Sequence, residues 1–211
     1  MSKKMVTLAV TGASGSPYFV ALLKNLLLAD VTVSLVLSEA AKLVIKTELA
    51  VKLPDSEKHI KDFFLTYFAE QVSTVNTKPQ LYVYRQDDWM SAVASGSNCA
   101  DAMVICPCSM GTLSAISHGA SNNLIERAAD VMLKEQRQLI LLTREMPYST
   151  IHLENMLTLS RMGVTIMPAS PGFYHKPLEI NDLVDFVVAR ILDHLHVDHS
   201  LSRRWGIDDK I

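Results

Sequence analysis

The chain has 211 residues, of which 49% are hydrophobic and 20% are charged, a composition that excludes a disordered protein and allows a sizeable buried core. Its formal net charge of −2 gives no reason to expect nucleic acid or a membrane surface as a partner. We expect no membrane span and no signal peptide, because the apolar runs are short and the start leads directly into a strand. The three cysteines form no repeated CxxC pattern, which predicts a reducing, cytoplasmic location.

Strands and helices alternate along the predicted chain. Strands are predicted at 5–11, 31–37, 81–84, 103–106, 139–143 and 164–167, and helices at 16–29, 39–47, 57–70, 111–118, 124–135 and 150–161. A final amphipathic helix carries an apolar stripe: Ile180, Leu183, Val184, Val187, Val188, Ile191, Leu192 and Leu195. This order predicts an α/β fold with a parallel sheet covered by helices on both faces.

The segment 122–147 combines a helix and a buried strand with an unusual set of charges. Arg127 and Lys134 are seven residues apart, so they share one face of the helix. The strand after them ends in Arg144 and Glu145. Ligands of open α/β sheets bind at the carboxyl ends of the strands. We therefore expect these charges to converge there on an anionic substrate and a proton that moves.

The first predicted strand and helix are joined by the glycine-containing loop 11–15. Such a loop lets the backbone approach a phosphate at a helix N-terminus. A dinucleotide site is disfavoured, because the third glycine of that motif is missing and the second strand ends in Leu37-Ser38 without an acid. A tight turn that binds no ligand remains an alternative for this loop.

Further loops follow other strands. The segment 106–112 lacks additional metal ligands at suitable spacing, so Cys106 is interpreted as a core thiol, while the backbone of 108–111 opens a helix that can grip a cofactor. The proline-rich loop 168–175 is suited to placing Tyr174 rigidly, and Arg190 lies at the edge of the last helix's apolar stripe. The histidines at 194, 196 and 199 are interpreted as an exposed tail rather than a metal site.

Taken together, these segments resemble the UbiX family of flavin prenyltransferases from Thr7 to Gly206. The segments are TGASGSPY, LVLSEAA, ASGS, MVICPCSMGTLS, NNLIERAADVMLKE, LLTREMP, HLENM, PGFYHKP, VDFVVARILDHL and RRWG. The resemblance implies a three-layer α/β/α Rossmann-like (flavodoxin-like) domain spanning 1–211, with a tail at 196–211 that packs on a neighbouring subunit. It also implies a homo-oligomer, usually a dodecamer built from trimers, with FMN at subunit interfaces.

The resemblance implies a reaction as well. The dimethylallyl group of dimethylallyl monophosphate is transferred to N5 and C6 of reduced FMN, without a metal, and the prenylated FMN serves UbiD-type decarboxylases in ubiquinone biosynthesis. Two alternatives remain open. One is an FMN-dependent aromatic acid decarboxylase, which matches the older family name 3-octaprenyl-4-hydroxybenzoate carboxy-lyase. The other is a non-catalytic flavin carrier.

The resemblance assigns roles residue by residue. The implied FMN contacts are Gly12, Ala13, Ser14, Ser38, Cys108, Ser109, Met110, Gly111 and Arg144. The implied prenyl phosphate contacts and their surroundings are Tyr174, Arg190, Lys134, Arg127, Ser95, Gly96, Trp89 and Trp205. The implied catalytic residues are Glu145, Glu48 and Ser14.

The chemistry of these residue types fits that reaction. Lys134, Arg127 and Arg190 can stabilise the phosphate dianion that leaves, and Trp89 and Trp205 can stabilise an allylic cation through cation–π attraction. Ring closure at C6 releases a proton, for which Glu145 is the predicted acid/base.

Overall fold

The computed structural model of the chain describes residues 3–72 and 79–202. In this part of the chain, six parallel strands form one sheet in the order β3-β2-β1-β4-β5-β6. The strands are β1 (Met5–Val10), β2 (Thr32–Leu37), β3 (Leu81–Tyr84), β4 (Ala102–Cys108), β5 (Gln138–Thr143) and β6 (Thr165–Pro168).

Helices lie between and after these strands. They are α1 (Ser16–Leu28), α2 (Glu39–Leu49), α3 (Glu57–Tyr67), α4 (Ala69–Val72), α5 (Met110–Ser117), α6 (Leu124–Lys134), α7 (Thr150–Arg161) and α8 (Ile180–His194). Two short 3₁₀ turns, Ala92–Ala94 and Gly96–Asn98, precede β4. The predicted single helix at 57–70 is wrong, because α3 ends at Tyr67 and α4 begins at Ala69.

Two separate apolar cores flank the sheet. Strand side chains alternate between them, so that Leu8 and Val10 contribute to one core and Ala9 to the other. The first core includes buried side chains of α1, α2, α3 and α8, and the second includes side chains of α5, α6 and α7. The predicted three-layer α/β/α architecture is therefore confirmed.

The apolar stripe of α8 packs into the first core, as its periodicity predicts. The prediction is wrong for Ile180, the first residue of the helix, whose surface is 78% exposed, and for Leu183, which is only partly buried and belongs to neither core. The separate prediction that the histidines at 194, 196 and 199 form an exposed tail is wrong for His199. That side chain is only 4% exposed, and its Nε2 lies 3.1 Å from Asp193 Oδ1. His199 is therefore part of the packing of α8's end.

None of the helices within 3–72 and 79–202 is both long and apolar enough to span a bilayer.

Candidate active site

The sheet order creates a crevice between β1 and β4. The chain leaves β1 toward α1 on one face and leaves β4 toward α5 on the other, so the two following loops separate there. Thr11 joins these loops: its Oγ1 donates to the Pro107 carbonyl at 3.0 Å and accepts from the Ser109 N–H at 2.8 Å. Both loops predicted to contact FMN therefore lie at one crevice.

The β1–α1 loop approaches α2 closely at Gly12. A Cβ placed on Gly12 would lie 2.6 Å from the Ala40 Cβ, which is shorter than side chains tolerate. Gly15 has a φ of +127°, a conformation that favours glycine. Close packing therefore favours glycine at position 12 and the backbone conformation favours it at position 15, in addition to the predicted role of this loop in ligand binding.

Gly12→Ala is expected to lower the free energy of unfolding by about 1–3 kcal/mol, because neither methyl group can rotate away from the clash. Urea denaturation measures this loss. The double variant Gly12→Ala/Ala40→Gly removes the clash and is expected to recover most of the stability. No recovery in the double variant would contradict this explanation.

Glu48, near the end of α2, reaches the first turn of α1. Its Oε2 accepts hydrogen bonds from the Ser16 N–H at 2.7 Å and the Gly15 N–H at 3.1 Å, and the Ser14 hydroxyl also bonds to it. Partial burial acts to raise the pKa of Glu48, but these hydrogen bonds outweigh it and hold the pKa below its ordinary value of 4.5. Glu48 is therefore ionised at neutral pH and can accept a proton.

The lowered pKa of Glu48 predicts a pH-dependent contribution to stability. The ionised carboxylate stabilises the folded state above pH 4.5, and this contribution is lost as the pH falls through the lowered pKa. Glu48→Gln is expected to cost about 0.5–1 kcal/mol at neutral pH, typical of an anion at a helix N-terminus, and nothing at strongly acidic pH. Denaturation series of both proteins across this range measure the difference, with Glu154→Gln as the exposed control. A difference that is constant with pH would contradict it.

Arg144 and Glu145 follow β5 at the same edge of the sheet. The Arg144 Nε donates to the Ser14 carbonyl at 3.3 Å, which brings β5's end to the β1–α1 loop. Glu145 is half-buried, and its Oε1 accepts from the Met146 N–H at 3.3 Å. Ser14, Glu48, Arg144 and Glu145 are called the crevice cluster below.

The opposite wall of the crevice is the first turn of α5. Ser109 caps the helix by accepting the Thr112 N–H at 3.3 Å, and the Met110 side chain is buried in the core. Apart from its chain neighbours and the backbone of its own helix, no atom of the described residues comes within 4 Å of the position a Cβ on Gly111 would take, so this turn borders open space. Burial raises the pKa of the Cys108 thiol, which makes it a poor nucleophile.

These walls fit a flavin mononucleotide. Gly12 and Gly111 carry no side chain of their own, the turn at Gly111 borders open space, and the α5 N-terminus favours an anionic or polar group. Ser38, at the carboxyl end of β2, caps α2 with its hydroxyl by accepting the Ala41 N–H at 3.0 Å. Within the described ranges, no group of three or more His, Cys, Asp and Glu side chains is arranged to hold a metal ion.

A second cluster lies along α6. The Arg127 Nε donates to the Ala94 carbonyl at 3.1 Å, and its guanidinium pairs with Asp130 at 2.7 Å. Lys134 pairs with Glu135, next to Gly96. Ser95, Gly96, Arg127 and Lys134 are called the α6 cluster. The predicted shared face of Arg127 and Lys134 is confirmed.

A third cluster lies along α8. The Tyr174 ring packs against Phe186 with ring centroids 5.5 Å apart, and Arg190 follows Phe186 by one turn on the same face. Tyr174 is 56% exposed, and the Arg190 side chain is 55% exposed and paired with Asp193 at 2.6 Å. Tyr174 and Arg190 are called the α8 cluster.

The expected convergence of charges at the end of β5 is wrong for Lys134 within one chain. α6 runs from the carboxyl edge of the sheet, where the Leu124 N–H donates to Gln86, to the amino edge, where Leu133 and Gln138 line the same cavity. Lys134 therefore precedes β5 and Glu145 follows it, so the six-residue strand places them roughly 20 Å apart. The α8 cluster lies on the opposite face of the sheet from α6.

Trp89 lines a cavity of about 740 Å³ together with Leu37, Tyr84 and Asn123, at the carboxyl ends of β2 and β3. Trp205 lies outside the described residues. Sequence reasoning missed two residues that shape this edge. Thr11 joins the two loops of the crevice, and Gln86 accepts from the Glu39 N–H with its Oε1 and from the Leu124 N–H with its carbonyl. Thr11 begins the glycine-containing loop, which is a signal in the sequence, whereas no sequence pattern points to Gln86.

Comparison with known proteins identifies the family. Residues 1–192 match the family model described as Flavoprotein. A flavin prenyltransferase UbiX from Pseudomonas aeruginosa is 52% identical over 201 residues, which cover 95% of this chain and 93% of that protein. The chain belongs to the UbiX flavin prenyltransferase family. A UbiX from Methanocaldococcus jannaschii is 45% identical over 95% of this chain and 98% of its own length.

Solved structures of UbiX proteins share this fold. AnUbiX, solved in complex with FMN and dimethylallyl pyrophosphate, is 38% identical with a TM-score of 0.82, covering 97% of this chain and 98% of its own. A dodecameric FMN-dependent UbiX-like decarboxylase from Escherichia coli O157:H7 is 40% identical with a TM-score of 0.78, covering 96% and 99%. The α/β/α fold and the flavoprotein nature of the chain are thereby established.

Proposed function

We propose that this chain joins the dimethylallyl group of dimethylallyl monophosphate to N5 and C6 of reduced FMN, giving prenylated FMN. The observation that carries the proposal is the contact of Ser14 with both Glu48 and Arg144 at the crevice of a UbiX-family chain. A carboxylate, a hydroxyl and a cation then lie where both loops can reach a flavin.

FMN is held at the crevice by Gly12, Ala13 and Ser14 on one side and by 108–111 on the other, with contributions from Ser38 and Arg144. Bound reduced FMN supplies the nucleophilic atoms N5 and C6. Arg144 is positioned for this role because its contact with Ser14 fixes the guanidinium over the loop. The Met110 side chain points into the core, so its backbone and not its thioether faces the ligand.

Breaking the allylic C–O bond leaves a phosphate dianion that needs cations. Arg127, Lys134 and Arg190 are suited to this role together with the Tyr174 hydroxyl and the Ser95–Gly96 loop. Each of the three cations pairs with a carboxylate one or three residues further along the chain, through surface ion pairs that contribute little stability. A phosphate dianion can therefore displace those carboxylates at small cost.

Lys134 of the α6 cluster can meet the crevice cluster only if several copies of the chain assemble. Lys134 and Glu145 lie at opposite sheet edges of one chain, and dimethylallyl monophosphate is too small to bridge them. We therefore infer a homo-oligomer in which FMN lies between subunits. The UbiX resemblance implies that it is a dodecamer built from trimers, and a UbiX-like relative is dodecameric. The tail 196–211 of the single domain 1–211 is expected to pack on a neighbour; its residues from 203 onward lie outside the described ranges.

Two carboxylates are available for the proton released from C6. Glu145 is half-buried at the end of β5 and is assigned as the acid/base. Glu48, ionised and bonded to Ser14, can accept a proton through that hydroxyl. Trp89, which lines the cavity described above, and Trp205 are assigned to the prenyl group.

We also propose a cytoplasmic location and delivery of the product to a UbiD-type decarboxylase. The location is supported by three free cysteines, of which Cys106 and Cys108 are buried in different cores of the sheet.

The test uses the purified protein alone. Reduced FMN and dimethylallyl monophosphate are supplied under anaerobic conditions, and in parallel an octaprenyl hydroxybenzoate is supplied with FMN. Prenylated FMN in the first reaction supports the proposal. Release of CO₂ in the second would indicate a direct decarboxylase, and unmodified FMN with both ligands bound would indicate a flavin carrier. Dimethylallyl pyrophosphate in place of the monophosphate tests the choice of leaving group.

A further inference from the structure

The rings of Tyr174, His175 and Phe186 pack together near the start of α8, and Gly172 lies against them. The His175 imidazole stacks on Phe186 with ring centroids 5.1 Å apart and planes within 7°. The Tyr174 ring stands edge-on to both, at 5.8 Å and 82° from His175 and at 5.5 Å and 81° from Phe186. Such edge-to-face pairs have a preferred geometry, so each ring restricts the others.

Gly172 closes the other side of the Tyr174 ring. A Cβ at this position would lie 2.8 Å from Tyr174 Cε1 and 3.2 Å from Phe186 Cζ. The φ of Gly172 lies outside the left-handed region, so alanine is compatible with the backbone and only the ring has to move. Gly172 is therefore required by the position of Tyr174 and not by a turn.

The segment that carries these residues is held at both ends. The Ala169 N–H donates to the Thr143 carbonyl at 3.0 Å, which ties the start of the loop to the end of β5. The Leu178 and Glu179 N–H groups donate to Asp182 Oδ2 at 2.7 and 3.0 Å, which ties its end to α8. Between them, the Lys176 N–H donates to the Phe173 carbonyl at 3.0 Å. Tyr174 thus projects from a fixed backbone.

The contacts of His175 with Tyr174 and Phe186 are made by the surface of its ring. Its Nδ1 and Nε2 are both buried, and neither has a hydrogen-bond partner among the described residues. An imidazole in such a place contacts its neighbours through its faces and edges, as a phenyl ring would. A phenylalanine at this position is therefore expected to keep the contacts.

We propose that Gly172, His175 and Phe186 form a ring clamp that positions Tyr174 for binding of the prenyl phosphate. The inference rests on the proposed function, in which Tyr174 contacts that phosphate. The clamp residues are positioning residues, since they act through Tyr174. Without the clamp, the exposed Tyr174 ring would rotate among several orientations, and the phosphate would lose a fixed contact.

The test compares Gly172→Ala, His175→Ala and His175→Phe in the full-length assembled enzyme. Gly172→Ala and His175→Ala are expected to raise KM for dimethylallyl monophosphate roughly tenfold, with little change in kcat and with FMN affinity unchanged. His175→Phe is expected to match the unmodified enzyme. His59→Ala, a change at an exposed histidine of α3, is the matched control and is expected to leave KM unchanged.

A second measurement reports the ring directly. With 3-fluorotyrosine in place of the six tyrosines, the ¹⁹F resonance lost in Tyr174→Phe identifies position 174. That resonance is expected to shift in Gly172→Ala and His175→Ala and to stay in place in His175→Phe. An unchanged resonance in the first two variants would show that the ring does not depend on them, and would overturn the clamp whatever the activity.

The kinetic outcomes separate the clamp from the proposed function. If Tyr174→Ala leaves KM unchanged, the phosphate role of Tyr174 in the proposed function is wrong, and the clamp has no part in the reaction. If Tyr174→Ala raises KM while Gly172→Ala and His175→Ala do not, only the clamp is overturned. If His175→Phe raises KM as much as His175→Ala, the imidazole nitrogens of His175, and not its ring surface, are needed for substrate binding. That result also overturns the ring clamp.

Discussion

Glu145→Gln is expected to slow formation of prenylated FMN by about 10²–10⁴-fold, the contribution typical of a positioned general acid or base. Glutamine keeps the size and hydrogen-bonding capacity of the side chain but cannot accept the proton released from C6. FMN should still bind, because Arg144 and the crevice loops are unchanged. Single-turnover mixing of reduced FMN, dimethylallyl monophosphate and enzyme measures the rate.

The matched control is Glu154→Gln, the same change at an exposed site on α7. It is expected to keep the rate of the unmodified enzyme. Loss of FMN from Glu145→Gln would assign Glu145 to cofactor binding. An unchanged rate would transfer the acid/base role to Glu48, which the Ser14 contact makes the next candidate.

Mixed assemblies of Lys134→Ala and Glu145→Gln chains are expected to regain activity that neither variant has alone. Lys134→Ala removes a cation from the leaving phosphate and is expected to cost about 10²–10³-fold. Lys134 and Glu145 of one chain lie at opposite ends of β5, so the proposed site takes them from different copies. Random co-assembly then leaves both residues intact in about a quarter of the sites.

The measurement is the rate of co-expressed, doubly tagged and co-purified assemblies, compared with an equal mixture of the two separately assembled variants. The double variant Lys134→Ala/Glu145→Gln, co-assembled with unmodified chains, provides the control for random mixing. Co-assembled single variants that are no faster than the separate mixture would show that one chain supplies both residues. The arrangement of the site between copies would then be wrong.

Most of the fold follows from local patterns in the sequence. β3 at Leu81–Tyr84 and α7 at Thr150–Arg161 have the predicted bounds, because apolar runs and turn signals delimit them clearly. The break between α3 and α4 was missed, since the apolar periodicity continues through Phe68. Burial at helix ends also depends on tertiary geometry, as exposed Ile180 shows.

The site was less predictable because it depends on distances between separate loops. The contact between Ser14 and Glu48 joins the β1–α1 loop to the far end of α2, and no spacing in the sequence encodes it. The expected convergence of Lys134 with Arg144 overlooked the direction of α6. A helix that connects parallel strands runs back to the amino edge of the sheet, and its last turn lies there. The sequence motifs identify the candidate site residues, but only the sheet topology shows that Lys134 and Arg144 lie at opposite ends of β5.

The most direct test of the account is the mass of the flavin after one turnover. The purified protein is incubated anaerobically with one equivalent each of reduced FMN and dimethylallyl monophosphate, and the extracted flavin is analysed by mass spectrometry. Prenyl transfer predicts FMN that has gained one five-carbon unit, with release of inorganic phosphate. Unmodified FMN from a protein shown to bind both ligands would contradict the proposed function.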